Sequence, residues 1–213
     1  MKKLLVMGAS GHGKVVADAA LAACFDVIAF ADDDPAKRGD RLLGIEVRAI
    51  GLEEAIGLCR ETEAVPVVAI GSNAARMRVF LSLRGAGLQP ATIVHPAATV
   101  ASSASLGAGT VVFAGVVVNP DTTVGENVIL NTGATIDHDN HIGFHAHISP
   151  GAHLGGTVTV GEGTHVGIGS TIKNNVAVGA WSVIGAGSTV VRDIPDGVVA
   201  YGVPARVVRP NGG

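Results

Sequence analysis

Residues 130–160 read LNTGATIDHDNHIGFHAHISPGAHLGGTVTV, with Leu130, Ile136, Ile142, Ile148, Leu154 and Val160 recurring every six residues. The same phase runs back through Val124, Val118, Val112, Leu106 and Val100 to Val94, and forward through Val166, Ile172, Val178 and Ile184 to Val190. Asp196, the second position past Ile184 and the first past Val190, breaks it. Gly often follows the aliphatic, as at Gly107, Gly125, Gly143, Gly155, Gly161, Gly167, Gly179 and Gly185. Two positions before the aliphatic the side chain is usually small or β-branched, as at Ala98, Thr110, Ala134, Ala152, Ser170 and Ser188. A period of six fits neither a helix at 3.6 nor a free strand at 2. It fits a parallel β-helix, in which each flat side turns one aliphatic inward and then rounds a corner. Three such sides make a coil of eighteen residues, so residues 95–190 predict just over five coils. Stacked at about 4.8 Å per strand, the triangular prism is roughly 25 Å tall. The 3% aromatic content suits so narrow a core, and the absence of any skipped hexad leaves no room for a long loop.

The bulk numbers exclude some classes of function. The 213-residue chain carries a net charge of −3 with only 15% charged residues. It holds no basic stretch for nucleic acid and no polybasic amphipathic helix for a membrane surface. No apolar run reaches the ~18 residues a spanning helix needs, and His12, Lys14 and Asp18 interrupt any signal-like core at the N-terminus. The mean hydropathy of +0.44 is high; an aliphatic-lined prism and buried subunit contacts account for it. Cys24 and Cys59 are lone thiols without metal-ligand spacing, which fits a reduced, cytoplasmic setting.

Ahead of the repeat, strands and helices alternate. Strands are expected at Lys3–Met7, Asp26–Phe30 and Val65–Ile70, with a brief extended piece at Ile45–Val47. Helices are expected from Lys14 to Ala23, with Val15, Val16, Ala19 and Ala20 facing inward, from Leu52 to Cys59, and from Ala74 to Leu83. That pattern means a small parallel α/β domain ending near Pro90. After Val190 comes a turn at Asp193–Gly197, then an extended tail.

Gly8-Ala9-Ser10-Gly11-His12-Gly13 lies between the first strand and the first helix. Such a loop exposes backbone N–H groups at the positive end of a helix dipole, and suits a phosphate or diphosphate. Its spacing is not the dinucleotide fingerprint, and the domain is too short for both halves of a dinucleotide fold. A sugar nucleotide is therefore expected, not NAD. Asp32 and Asp33 end the second strand, where an acid accepts hydrogen bonds from ribose or base, or else simply closes a Pro-terminated turn. Gly71-Ser72-Asn73 ends the third strand on the same crevice, with Asn73 expected as a helix cap.

Six of the eight histidines fall between residues 138 and 165. His141, His147, His153 and His165 precede inward aliphatics and are expected to point outward, His147 and His165 one coil apart. His138 has a different phase, close to a corner, between Asp137 and Asp139. Moving an acetyl group from a thioester to an amine needs a base for the departing proton, and an imidazole of near-neutral pKa suits that task. A carboxylate on the other ring nitrogen fixes the tautomer and raises basicity.

On these features, the chain resembles the hexapeptide-repeat acetyltransferases of nucleotide-linked amino sugars and sialic acid, such as the bacillosamine and perosamine N-acetyltransferases. The resemblance covers residues 1–210 and rests on Gly8-Ala9-Ser10-Gly11-His12-Gly13-Lys14, Asp32-Asp33 and the complete hexad run. It implies an α/β N-terminal domain with a small Rossmann-like parallel sheet, then a left-handed parallel β-helix, in a homotrimer; the divisions expected are 1–90, 91–192 and a tail at 193–213. It implies that Ser10, Gly11, His12, Asp32, Asp33 and Gly71 hold the sugar nucleotide, that His138 is the base and that Asp139 is its partner. It implies acetyl-CoA in a groove between neighbouring prisms, along His147, Gly156, Ile168 and Ala186, with no metal. A nucleotide-linked 4-amino-4,6-dideoxy sugar, of the GDP-perosamine or UDP-bacillosamine precursor type, is the implied acceptor, in O-antigen and lipopolysaccharide synthesis. Lys173, Arg192, Arg206 and Arg209 are candidates for the cofactor phosphates. Three other readings stay open: sialic acid O-acetylation, a zinc enzyme of the γ-carbonic anhydrase type, and a non-catalytic sugar-nucleotide-binding protein.

Overall fold

A computed structural model describes residues 1–212. They form two compact units, Met1–His95 and the chain from Pro96 onward. Among the described residues no helix is long and apolar enough to cross a membrane.

The first unit is built on strands β1 (Lys3–Met7), β2 (Asp26–Asp32), β3 (Arg41–Leu42), β4 (Ile45–Ile50) and β5 (Val65–Val68), with helices α1 (Gly11–Ala22), α2 (Gly51–Thr62) and α3 (Asn73–Gly85). The sheet order is β3-β4-β2-β1-β5; all pairings are parallel except that of β3 with β4. The chain steps from β1 outward to β2 and β4, then returns to the other side of β1 as β5. That reversal opens a crevice at the carboxyl ends of β1 and β5, the place where open α/β sheets take ligands. Leu5, Met7, Ala29, Ala31, Ala49 and Val68 pack with Ala55, Ile56, Leu58 and Cys59 of α2 and with Phe80 and Leu83 of α3.

Two local expectations are corrected here. Helix α1 starts at Gly11, and its buried residues are Gly13, Val16, Ala17, Ala19 and Ala20. Val15, expected to face inward, is 43% exposed, because it lies about 100° around the helix from Val16. The cap of α3 is Ser72, whose Oγ accepts the N–H of Ala75 at 3.4 Å; Asn73 is the first helical residue.

The second unit is a three-walled coil of two-residue strands. The first wall stacks the strands at 99–100, 117–118, 135–136, 153–154, 171–172 and 189–190. The second stacks 105–106, 123–124, 141–142, 159–160 and 177–178. The third rises through 111–112, 129–130, 147–148, 165–166 and 183–184 into Val198–Gly202, which turns back antiparallel as Ala205–Pro210. The pairings between coils join residues eighteen apart, as in Thr135 with His153 and Ile136 with Leu154, until the last turn, where Val183 meets Val199 and Ile184 meets Ala200 at a spacing of sixteen. The in-phase aliphatics from Val112 to Val190 are at most 4% exposed. The small residues two positions earlier are buried too, and several satisfy the carbonyls that turn inward at corners. Thr110 Oγ1 donates to Gly125 O at 2.9 Å, Thr122 Oγ1 to Asp137 O at 2.7 Å, and Ser170 Oγ to Gly185 O at 2.9 Å. A buried carbonyl left unpaired is destabilising, so the hydroxyls at this phase complete the coil.

Candidate active site

The first unit carries a cavity of about 270 Å³ lined by Met7, Gly8, Ser10, Ala31, Asp32, Asp33, Gly51, Leu52, Ile70 and Gly71, among others. It sits at the sheet's reversal point. Two glycines of the first loop are required by space. A Cβ on Gly8 would meet Ala69 O at 2.5 Å, and one on Gly13 would collide with Gly8 O. Gly8 also has φ +120°, which favours glycine. Gly11, by contrast, faces open space. Ser10 stands at the N-cap of α1 but its hydroxyl makes no capping bond, so it remains available at the helix N-terminus. His12 is half-buried, and burial together with the Arg76 cation pushes its imidazole down to about 4. It is therefore neutral near pH 7.

Asp32 proves to be committed within the fold. Its Oδ2 accepts Ala9 N–H at 2.8 Å and the Lys37 ammonium at 2.9 Å, and its Oδ1 accepts Asp34 N–H at 3.0 Å. Burial alone would raise this carboxyl; the Asp34 N–H, Lys37 and the Ala9 N–H outweigh it and hold the group below its ordinary value. Asp32 thus ties the first loop to the end of β2, and exposed Asp33 is the freer acid on the cavity. Arg76, which the sequence did not single out, is 1% exposed; its Nη1 donates to Ile70 O at 3.1 Å and Gly71 O at 3.4 Å, setting the rim at Gly71.

In the second unit, His138 stands at the corner between the first and second walls, its side chain 56% exposed. Its Nδ1 lies 2.7 Å from Asp139 Oδ2. A carboxylate only accepts, so Nδ1 carries the hydrogen and Nε2 keeps its lone pair. Asp139 makes this contact from a left-handed backbone, φ 58°. The hydrogen bond to Asp139, reinforced by the Asp137 charge, raises the imidazole above its ordinary value. Asp137 is a framework residue: its Oδ1 accepts His138 N–H at 2.8 Å and the Asn119 amide at 2.9 Å, and these hold its carboxyl low.

Gly156 lies directly against this ring. A Cβ there would come within 2.6 Å of His138 Nε2 and Cε1. The Gly156 N–H donates to no carbonyl within the described chain, so a donor stands beside the face where Nε2 points. Asn140, 1% exposed, braces the corner from inside. Its Nδ2 donates to Asp137 O at 2.6 Å and Gly155 O at 3.0 Å, and its Oδ1 accepts Val158 N–H at 3.1 Å. A groove of about 670 Å³ opens here, lined by Asp137, His138, Gly155, Gly156, Lys173 and Asn174 among others.

Within one chain the other expected cofactor residues fall elsewhere. His147 belongs to the third wall, while Ile168 and Ala186 stack at the corner that follows it, Gly187 N–H donating to Ile168 O at 2.8 Å. Ile168 is 61% exposed. His147 was expected to project outward; it leaves the wall outward but is only 9% exposed. Its ring is stacked on that of His165, centroids 4.6 Å apart and 10° from parallel, and its Nε2 accepts the Asn131 amide at 3.1 Å. His141 and His153 occupy two different walls, each bonded to a threonine one coil below at 2.8 Å. Among the described residues no three His, Cys, Asp or Glu side chains converge as a metal-binding group.

Comparison with known proteins gives a consistent result. Residues 3–83 match the family model of the PglD N-terminal domain. A histidine-to-asparagine mutant of perosamine N-acetyltransferase from Caulobacter crescentus, solved in complex with CoA and GDP-perosamine, is 37% identical, with a TM-score of 0.92 over 98% of this chain and 97% of that one. The acetyltransferase domain of PglB from Neisseria gonorrhoeae is 36% identical, with a TM-score of 0.88 over 98% of this chain and 100% of that one. WeeI from Acinetobacter baumannii, at 23% identity and a TM-score of 0.86 over 98% of this chain and all of that one, shares the fold. No curated protein sequence matched the chain. With two sites of this build, and relatives more than a third identical along nearly its whole length, the chain belongs to the hexapeptide-repeat family of sugar N-acetyltransferases.

Proposed function

We propose that the protein transfers the acetyl group of acetyl-CoA to the amino group of a nucleotide-linked 4-amino-4,6-dideoxy sugar. The observation that carries this is the His138 corner: an imidazole with its tautomer fixed by Asp139 and its free Nε2 beside an unengaged N–H at Gly156. The relatives solved with CoA and GDP-perosamine, and with acetyl coenzyme A, support the two substrate classes.

The chemistry needs no covalent acyl-enzyme, because a thioester is already activated. The sugar amine attacks the thioester carbonyl; His138 Nε2 takes the proton the nitrogen sheds, while Asp139 steadies the imidazolium. The Gly156 N–H is placed to stabilise the oxyanion. Collapse of the tetrahedral intermediate breaks the C–S bond, and the proton on His138 passes to the departing thiolate. In the first unit, Ser10, Gly11 and His12 at the α1 N-terminus, with Gly71, take the diphosphate and sugar. Asp33 meets ribose or base, and Asp32 shapes the loop that does so.

Residues 1–90 serve as the nucleotide-sugar domain, 91–192 as the acetyltransferase domain and 193–213 as its tail. The coil is left-handed and the assembly a homotrimer. Supporting the trimer, His147, Ile168 and Ala186 stand on a different side of the prism from His138 and Gly156. A cofactor that touches all five lies between two copies, His138 from one and His147 from the next. The test is incubation with acetyl-CoA and a panel of GDP-, UDP- and CMP-linked amino sugars, read by product mass and thiol release. Acetylated nucleotide sugar is expected. Transfer to free sialic acid hydroxyls alone, or no thiol release with any acceptor, contradicts the reading.

A further inference from the structure

Among the described residues of the first unit, Arg76 is the only charged side chain that is buried. Taking a cation out of water is costly unless it is bonded and put to use. Burial pushes the guanidinium down to about 9, so it is still charged near pH 7. Its Nη1 donates to two successive carbonyls, Ile70 O at 3.1 Å and Gly71 O at 3.4 Å.

Those two bonds set more than the rim. In a trans peptide the C=O of one residue and the N–H of the next point in opposite directions across one plane. Two carbonyls drawn in to Arg76 therefore turn the N–H groups of Gly71 and Ser72 outward. Ile70 and Gly71 line the cavity and Arg76 lies behind them, so outward is into the cavity. Neither N–H donates to a carbonyl or a side chain among the described residues. Successive N–H groups facing one way form an anion-binding concavity. The other lip of the crevice is the start of α1. β1 and β5 are neighbours and Ala69 N–H donates to Met7 O at 2.7 Å, which sets Gly71 and Ser72 beside the Gly8–Ser10 loop.

Charge sharpens the argument. The described residues that line the cavity include two acids, Asp32 and Asp33, and no cation. Lys37 is already paired with Asp32 at 2.9 Å. A diphosphate entering here meets the exposed Asp33, and the compensating charge stands behind the rim, in Arg76. A field crossing the protein interior is screened far less than one crossing water. It reaches the far lip, where burial first and the Arg76 cation second push the His12 imidazole down to about 4.

We propose that Arg76 is the positioning residue of the diphosphate seat: it turns the Gly71 and Ser72 N–H groups into the cavity and supplies, from behind them, the positive charge that offsets Asp33. This rests on the sugar-nucleotide reading above, and the test separates the two. Binding of GDP, UDP, guanosine and uridine to the full chain is measured by calorimetry, with coenzyme A binding as the check on folding. The wild type is expected to prefer the diphosphates over the nucleosides. Ser72→Pro deletes one outward N–H at a residue whose φ of −68° already suits proline. It is expected to cut that preference by about tenfold or more. Ser72→Ala keeps the N–H, loses only the capping hydroxyl, and is expected to retain the preference. Arg76→Gln removes the charge and is expected to cost about tenfold as well, with Arg76→Lys recovering most of it. In NMR titrations the His12 ring should move up from about 4 in Arg76→Gln and return in Arg76→Lys, a pattern that a packing role for the arginine does not produce. If Arg76→Gln fails to fold, shown by lost coenzyme A binding, the Ser72 pair decides. An unchanged preference in Ser72→Pro or in folded Arg76→Gln, an equal loss of nucleoside affinity, or a His12 titration indifferent to Arg76→Gln overturns the proposal. A protein that prefers the diphosphates through these groups yet acetylates no amino sugar contradicts the transferase reading and leaves the seat standing; one that binds nucleosides and diphosphates alike removes both.

Discussion

The His138 corner and the Gly8–Gly13 loop hold their functional atoms by opposite means. At the corner, support lies at a fixed interval: Asn119 is one coil below Asp137, Gly156 one coil above His138, and Asn140 faces Val158 across the same spacing. At the loop, support arrives from scattered places: the Ala69 carbonyl, the Asp32 carboxylate, Lys37 and Arg76. A repeat turns through-space support into counting along the chain. A strand–turn–helix site must assemble it from contacts that no period announces.

The sharpest way to break this contrast is one methyl group at each place. Gly13→Ala drives a Cβ into the Gly8 carbonyl oxygen. At least about 2–3 kcal/mol of stability should be lost, with sugar-nucleotide affinity, while coenzyme A affinity persists; thermal unfolding and calorimetry of the two ligands check this. Gly156→Ala sets a Cβ against the His138 ring instead. Here turnover should fall about a hundredfold, the penalty for displacing a reacting group by an ångström, with sugar-nucleotide affinity retained. Equal losses of both ligands in both variants would erase the distinction between the sites.

Asn140→Ala removes the inner brace and leaves the Gly155 carbonyl and the Val158 N–H without their partner, while Asp137 O keeps the Thr122 hydroxyl. A destabilisation of about 2 kcal/mol is expected in denaturant unfolding, with a smaller drop in turnover. The mildest effect is one of position. A base must be neutral to act, and the His138 imidazole is held above its ordinary value chiefly by Asp139. The acid limb of kcat/KM should therefore lie above an ordinary histidine's, and Asp139→Asn should move it to lower pH. A limb that stays put or moves upward contradicts the pairing.

Much of the second unit could be read in advance. Seventeen in-phase aliphatics dictate three walls and eighteen-residue pairing, and His138 is legible as a corner residue because it falls two residues past Ile136, out of the phase of His141, His147, His153 and His165. The braces were less visible. Asn140 looks like any corner polar residue until its amide is seen reaching three carbonyls and one N–H. His147 shares the outward phase of His141 and His153, yet stacking on His165 and the Asn131 bond withdraw it from solvent. In the first unit, the loop and the alternation of strands and helices were legible from glycines and apolar pattern, whereas the short antiparallel strand β3 was not. The clamp role of Asp32 was not, because Ala9 and Lys37 lie on opposite sides of it in sequence. Ser72 took the cap expected at Asn73 because α3 begins one residue earlier. Arg76, buried under the pocket rim, was hidden by the ordinary expectation that an arginine on a helix faces water.

The central claim is that acetyl transfer runs through the free Nε2 of His138. Steady-state kcat for His138→Ala, at saturating acetyl-CoA and amino-sugar nucleotide, tests it most directly. A loss of about 10²- to 10⁴-fold with both ligands still bound is expected for a missing general base; a rate close to that of the wild type would contradict it.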